Sequence, residues 1–332
     1  MRAVVIKSPG GVEVLELREV ADPPEPVANH VVVRVFASAL NRADVLQRMG
    51  HYPAPPGSPR DTPGLEFAGE VAQVGPQVTQ WRSGDRVFGI CGGGAYAEFV
   101  TVPANHLAAI PNNLSWVEAA AVPEVFITAH DALFTQARLQ PGETVMVHAA
   151  GSGVGTAALQ LIRSAGARSF GTSRSADKLE RADEFGLDES IVVKDDPRVI
   201  VEKVQKWTSG VGIDVVLDLV GAAYFEASLR SMAYLGRMIL VGTTSGAKAT
   251  LDYGLVMSKR LTVKGTVLRA RSLEEKATAT RLFAKHVVPL LASGAVRPVI
   301  DRTYRLDEVR QAHERMEFNE SFGKIVLVFR NP

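Results

Sequence analysis

A single cysteine, Cys91, stands in a chain of 332 residues. One thiol can form no disulfide within the chain, and it cannot build a cysteine-based structural zinc site. Charge of one sign is lacking as well: 37 Lys and Arg face 36 Asp and Glu, a formal net charge of +1. That balance offers no long-range attraction to nucleic acid or to an acidic membrane surface. Nucleic acid is therefore not an expected partner, nor is a membrane. The most apolar window, Val145–Ile162, is interrupted by His148, Ser152, Gln160 and its glycines, so it reads as a buried strand and helix rather than a bilayer span. The amino terminus, MRAVVIKSPGG, lacks the apolar core of a secretory signal and looks like a first strand. A cytoplasmic location is the expectation.

What is present is the composition of a soluble globular protein, 46% apolar and 22% charged, in a chain long enough for two domains. The first third reads as short strands between turn residues: Val31–Ala37, Gly69–Val74, Arg86–Phe88 and Ala97–Val102. Heavy Pro and Gly punctuation, as in YPAPPGSP from Tyr52 to Pro59, gives this part the texture of an antiparallel, barrel-like β domain. After about Glu118 strands and helices alternate. Strands are expected at 144–149, 168–172, 190–193, 214–219, 237–241 and 261–266. Helices are expected near 153–165, 176–185, 199–207 and 224–232. Six strands with helical crossovers predict a doubly wound parallel sheet, whose ligand site lies at the carboxyl ends of its strands. A helix near 306–316 and a strand at 323–329 look like a return to the first domain. The fold class is α/β, a β-rich domain joined to a doubly wound parallel sheet.

Within the apolar window, VMVHAAGSGVGTAALQLI sets a strand, a glycine turn and a helix in succession. Such a turn lets the backbone approach a pyrophosphate at the open N–H groups of the helix start. Gly151, Gly153 and Gly155 alternate here, with Thr156 at the last glycine place of the usual G-x-G-x-x-G. An NAD site would place Asp or Glu at the end of the second strand, to hold the ribose 2′-hydroxyl. Ser173, Arg174 and Ser175 stand there instead, followed by Lys178. Arg and Lys can pair with a 2′-phosphate that a carboxylate would repel, which predicts NADPH. The plainer reading keeps Arg174 and Lys178 as surface cations, Lys178 pairing with Asp177 or Glu180.

Five segments together resemble the medium-chain dehydrogenase/reductase superfamily, and within it the zinc-free quinone oxidoreductases. They are ASALNRADVLQRMG from Ala37, GLEFAGEVAQVG from Gly64, AAAVPEVFITA from Ala119, the glycine turn, and GKIVL from Gly323. The NRAD segment followed by GHYPAPPG is most similar to the tumour-suppressor-induced quinone oxidoreductase branch, with zeta-crystallin more distant. The resemblance implies a GroES-like catalytic domain over 1–123, completed by 269–332, and a Rossmann NADPH-binding domain over 124–268. It also implies a cleft at their junction and a homodimer joined mainly through the Rossmann domains, with 261–266 the strand nearest that contact.

The resemblance also bears on chemistry. Zinc members of the superfamily use Cys and His ligands, one from a Gly-His-Glu segment. Here that segment is Gly64-Leu65-Glu66, and Asn41 lies in the neighbourhood of a ligand cysteine, so no catalytic zinc is expected. His51, His106, His130 and His148 have no metal-triad spacing and read as packing or surface residues. Without a Lewis acid the acceptor must already be electrophilic, as a quinone is, and the quinolate formed needs only hydrogen-bond donors and a proton from water. By position in the family, Asn41 and Tyr52 would line the acceptor pocket, and Thr128 would fix the nicotinamide carboxamide. Asn41 serves equally well as a helix cap before Arg42, and Tyr52 as packing. Ser152, Gly153, Val154 and Gly155 would meet the pyrophosphate, Gly242 and Thr243 the nicotinamide ribose, and Leu268 the nicotinamide through its backbone. Relatives often carry a tyrosine near Val193 by the adenosine phosphate, and none is present there. Two other readings stand beside quinone reduction: an NADPH-dependent alkenal or enone reductase, and a crystallin-like or RNA-binding relative with weak catalysis.

Overall fold

The computed structural model describes residues 1–329. In chain order it opens with β1 (Arg2–Ile6), β2 (Leu15–Glu19), β3 (His30–Ala39), α1 (Arg42–Arg48), β4 (Glu66–Val74), β5 (Arg86–Ile90), β6 (Phe99–Pro103), β7 (Leu107–Ala109), α2 (Trp116–Ala120) and α3 (Pro123–His130). A π-helical turn at Asp131–Gln136 follows α3. Next come β8 (Thr144–Val147), α4 (Gly153–Ser164), β9 (Arg168–Ser173), α5 (Ala176–Asp183), β10 (Glu189–Val192), α6 (Val199–Trp207), β11 (Ile213–Asp218), α7 (Ala222–Ser231), β12 (Met232–Leu240), α8 (Tyr253–Lys259) and β13 (Thr262–Gly265). The chain ends with α9 (Leu273–His286), α10 (Val288–Ala292), β14 (Ile300–Arg305), α11 (Val309–Glu317) and β15 (Lys324–Val328). Two compact units result, one of residues 1–127 with the described residues from 268 onward and the other of residues 128–267.

The first unit is built on a seven-stranded sheet of order β14-β15-β3-β4-β5-β7, with β6 also paired to β3. Strand β3 explains the closure. It pairs along one edge with β4, while β6 takes its first half from His30 to Arg34 and β15 takes Ala37–Ala39. Register shifts at Val32/Val33 and Val35/Ala37 bend it between these partners. Its VVVRVFA run is buried at nearly every position because both faces are covered. The carboxyl-terminal strand β15 thus completes a sheet begun some 300 residues earlier, and the core joins Val31, Val33, Val35 and Phe67 to Ile325 and Leu327.

The second unit is a six-stranded sheet of order β10-β9-β8-β11-β12-β13, every pair parallel. The order reverses between β8 and β11, so the turn after β8 lies at the topological switch point. The expected strand at 237–241 begins earlier, at Met232, with a register shift beside β11. Helix α8, absent from the expected elements, starts at Asp252, whose side chain accepts from the Leu255 N–H. Helix α9 was also unread from periodicity. Ser272 and Glu275 cap it reciprocally. No helix among the described residues is long and apolar enough to cross a membrane.

Candidate active site

In the first unit, polar side chains from four separate segments meet around Asn41. Strand β4 opens with Glu66, wholly buried, and β15 opens with Lys324, 4% exposed; the two pair at 2.7 Å. Asn41 lies between them, donating from Nδ2 to Glu66 Oε1 at 2.9 Å and to the Ala39 carbonyl at 3.3 Å. Its Oδ1 accepts from Lys324 Nζ at 2.8 Å. The Glu124 N–H, in the first turn of α3, donates to Glu66 Oε2 at 2.8 Å. Asn41 does precede α1, but the reach-back at that helix start comes from Asp44, which accepts the Asn41 N–H at 2.8 Å. The asparagine amide is thereby committed to the charged pair, and both of its hydrogens are engaged.

Asp44 is enclosed by neutral donors, accepting from the Gly64 N–H at 3.0 Å and the Tyr96 hydroxyl at 3.2 Å. Burial pushes its carboxyl up to about 6 against the pull of the Asn41 and Gly64 N–H groups. Leu65, at the position of a ligand histidine in zinc relatives, is buried. The Cys91 thiol donates to the Gly64 carbonyl at 3.3 Å, and burial pushes it up to about 12, far from a metal-binding thiolate. Among the described residues no group of three or more His, Cys, Asp or Glu is placed to hold a metal ion.

Tyr52 is held by Arg269, whose guanidinium lies 5.1 Å from the ring centroid and donates to the Tyr52 carbonyl at 3.2 Å. Arg269 also donates to the Gly92 carbonyl and to Gln47, and it is 4% exposed. The Tyr52 side chain stays partly exposed, and its hydroxyl is raised above its ordinary value by partial burial and by Glu124, with Arg269 opposing. Leu268, the residue before this arginine, is buried.

In the second unit the predicted cofactor residues converge on the carboxyl ends of the parallel strands. Ser152 caps α4, its Oγ accepting the Gly155 N–H at 3.1 Å. Gly153 and Val154 occupy the first turn, where a helix leaves N–H groups without intrahelical partners. A Cβ on Gly155 would lie 2.5 Å from the carbonyl oxygens of both Ala149 and Ala150, so only glycine lets the helix start close on the strand end. Ser173 ends β9, next in the sheet, with Arg174 exposed just beyond it and Lys178 in the first turn of α5. Gly242 and Thr243 follow β12, where a Cβ on Gly242 would meet the Leu219 carbonyl at 2.6 Å. Thr128 lies on α3 and is partly exposed.

Several polar residues of these sites went unread from sequence. Glu66 and Lys324 lay inside segments already marked as distinctive, but their pairing spans the chain. Glu124 had a signal, a carboxylate inside the apolar run AAAVPEVFI. Arg269 and Lys276 gave none. Near Val193, the Tyr224 hydroxyl donates to the Val193 carbonyl at 3.4 Å and feels the charge of Arg174.

Known proteins share this layout. Residues 153–285 match the family described as zinc-binding dehydrogenase, and residues 27–112 match the alcohol dehydrogenase GroES-like domain. The quinone oxidoreductase of Lama guanicoe is 31% identical over 332 residues, covering 99% of this chain and 98% of its own. A solved NAD-dependent alcohol dehydrogenase is 35% identical with a TM-score of 0.88, over 99% of this chain and 100% of that one. Escherichia coli quinone oxidoreductase, solved in complex with NADPH, is 30% identical with a TM-score of 0.88 over 99% and 100%. Fold and site together define an oxidoreductase made of a GroES-like unit and a Rossmann sheet. The chain belongs to the quinone oxidoreductase family of the medium-chain dehydrogenase/reductases.

Proposed function

We propose that the protein is an NADPH-dependent reductase that passes hydride to a quinone without zinc. The observation that carries this reading is the centre at Asn41. Its polar side chains are locked to one another by hydrogen bonds, with leucine where a ligand histidine would stand and a thiol far from ionising. Such a centre offers no Lewis acid, so the acceptor must bring its own electrophilicity. The residues of the second unit fit NADPH. The first-turn N–H groups of Gly153 and Val154 suit a pyrophosphate, and Ser173, Arg174 and Lys178 suit a 2′-phosphate. Gly242 and Thr243 would receive the nicotinamide ribose, and Thr128 the nicotinamide carboxamide. The bacterial relative solved with NADPH supports the same choice.

Bound NADPH supplies the hydride. Tyr52, partly exposed and clamped by Arg269, would serve the acceptor oxygen as a hydrogen-bond donor. Asn41, with both amide hydrogens engaged, acts as a positioning residue that holds the Glu66–Lys324 pair against the acceptor site. The enzyme works as a homodimer through the outer edge of β13, which among the described residues pairs only with β12. Tyr234, Leu235, Tyr253, Met257 and Val267 stand exposed in the same unit, an apolar surface of the kind that association covers. A single cysteine suits a reducing cytoplasm.

The test is oxidation of NADPH and of NADH with 1,2-naphthoquinone and with a 2-alkenal, each with and without a metal chelator. NADPH with the quinone is expected to be fastest and indifferent to chelation. Equal rates with the two cofactors refute the role of Arg174 and Lys178. Faster alkenal turnover refutes the quinone, and loss on chelation refutes a metal-free centre.

A further inference from the structure

Between β12 and α8, residues 241–252 form neither helix nor strand, and from Thr243 to Gly246 the chain is exposed. The hydrogen bonds that hold Val241–Gly246 run to one segment of the same unit, residues 218–223 after β11. The Val241 and Gly242 N–H groups donate to the Asp218 carbonyl at 2.8 and 3.1 Å. The Ser245 N–H and hydroxyl each donate to the Val220 carbonyl at 2.9 Å, and the hydroxyl oxygen accepts the Ala223 N–H at 3.0 Å. The Gly246 carbonyl accepts the Ala222 N–H at 3.1 Å.

That segment is in turn shaped by the wholly buried Asp218 side chain. Its Oδ1 accepts the N–H groups of Val220 and Gly221, each at 2.8 Å. Gly221 has a φ of +93, a conformation that favours glycine. A Cβ there would also meet the Gly246 carbonyl oxygen at 2.8 Å and Thr243 Cα at 2.9 Å. The two loops therefore touch at a residue whose N–H Asp218 holds. The other carboxyl oxygen, Oδ2, is buried and accepts no hydrogen bond among the described residues. Asp218 thus carries an unmet desolvation cost on one oxygen while the other sets the turn.

We infer that Asp218 is a positioning residue for the nicotinamide half of NADPH. Through Oδ1 it fixes the Val220–Gly221 turn, and through that turn and its own carbonyl it places the loop that carries Gly242 and Thr243. The inference rests on the reading that puts those two residues at the nicotinamide ribose. Asp218 itself touches neither cofactor nor acceptor in this role. A loop held in place before binding spares the ligand the cost of ordering it. The residues read for the pyrophosphate and the 2′-phosphate stand apart from this device: among the described residues neither Ser152–Gly155 nor Ser173 bonds to the 218–223 segment.

Calorimetric titration with NADPH and with adenosine 2′,5′-bisphosphate, which lacks the nicotinamide half, separates the two regions. Asp218→Ala leaves two N–H groups without their acceptor. It should weaken NADPH binding about 10-fold and the bisphosphate less than about 2-fold. Asp218→Asn keeps an acceptor oxygen and should hold NADPH within about 3-fold of wild type. Ser245→Ala removes the bonds to Val220 and Ala223 from the exposed side, and should weaken NADPH about 3-fold while sparing the bisphosphate. Should Asp218→Ala fail to fold, Asp218→Ser, whose hydroxyl makes the same turn more weakly, takes its place with an intermediate loss. Wild-type NADPH affinity in the Asp218 and Ser245 variants overturns the role of Asp218 alone. Equal losses for the two ligands do the same, as does an asparagine variant as weak as the alanine one. A wild type that binds NADPH no more tightly than the bisphosphate overturns the reading of Gly242 and Thr243 together with this inference.

Discussion

Replacing Lys324 with methionine tests the polar centre most directly. The substitution keeps the length of the side chain and deletes an ammonium that is 4% exposed and 2.7 Å from a Glu66 carboxylate that is wholly buried. Three groups lose a donor at once: Glu66 Oε1, Asn41 Oδ1 and the Leu40 carbonyl. Glu66 keeps only the Asn41 amide and the Glu124 N–H. Removing one partner of a buried pair costs about 3–5 kcal/mol, because the remaining charge stays uncompensated. At about 2–4 °C per kcal/mol for a unit of this size, the first unit should melt roughly 10 °C lower. Calorimetry is the assay, since two units can give separable transitions. The double variant Glu66→Met with Lys324→Met should recover most of the loss, because a buried pair exchanged for apolar side chains is often neutral. A Lys324→Met protein melting within about 2 °C of the wild type would refute the reasoning, for the pair would then not be desolvated.

Three further outcomes follow from other parts of the molecule. Arg174→Ala should raise KM for NADPH about 10- to 100-fold, the worth of a charge-assisted hydrogen bond, and leave KM for NADH little changed; equal effects on both cofactors would place Arg174 elsewhere. Gly155→Ala should cost about 1–3 kcal/mol by overpacking against the Ala149 and Ala150 carbonyls, seen as a lower midpoint in urea; a midpoint equal to wild type would show that the α4 start can retreat. His148 is buried between Thr172 Oγ1 at 2.9 Å and Ser228 Oγ at 2.7 Å, and burial pushes it down to about 3. Its folded pKa is depressed, so the unfolded chain takes up the proton first as pH falls below 6.5, and stability should drop from there toward about 3. His148→Gln should flatten that part of the melting profile, and an unchanged slope would assign the acid sensitivity to other groups such as His313.

The sheets were legible because each has its own period. The alternation of strand and helix after residue 118 gave the parallel sheet, and the short strands between Gly and Pro gave the first unit. The glycine turn was legible for a local reason: strand, turn and helix lie within eighteen residues, so the sequence displays the whole device. The polar centre is the opposite case. Asn41 and Lys324 are 283 residues apart, and Arg269 is 222 residues from Gln47. No periodicity reports such pairings. Helix α9 shows the difficulty plainly, since LEEKATATRLFAKH is rich in charge and Lys276 looks like one surface lysine among several. Only the packing of the helix shows that this one is buried.

The same centre shows how differently neighbouring carboxyls are compensated. Three carboxylates gather there, those of Asp44, Glu66 and Glu124, and each solves its desolvation differently. Glu66 takes Lys324 as a counter-ion together with two N–H donors. Asp44 takes two backbone N–H groups and a tyrosine hydroxyl. Among the described residues Glu124 takes neither a contact cation nor a donor, and the negative charge on Glu66 opposes its ionisation. A carboxyl in that position lowers its energy most cheaply by keeping its proton. Lys324, the cation that fixes Glu66 and Asn41, works against that outcome, because its ammonium favours the ionised Glu124. Lys324→Met should consequently push the Glu124 carboxyl higher as well as lower the melting temperature. The infrared band of the protonated Glu124 carboxyl should then persist to higher pH than in the wild type. A band that is lost at the wild-type pH, or lower, would break the link between the two groups.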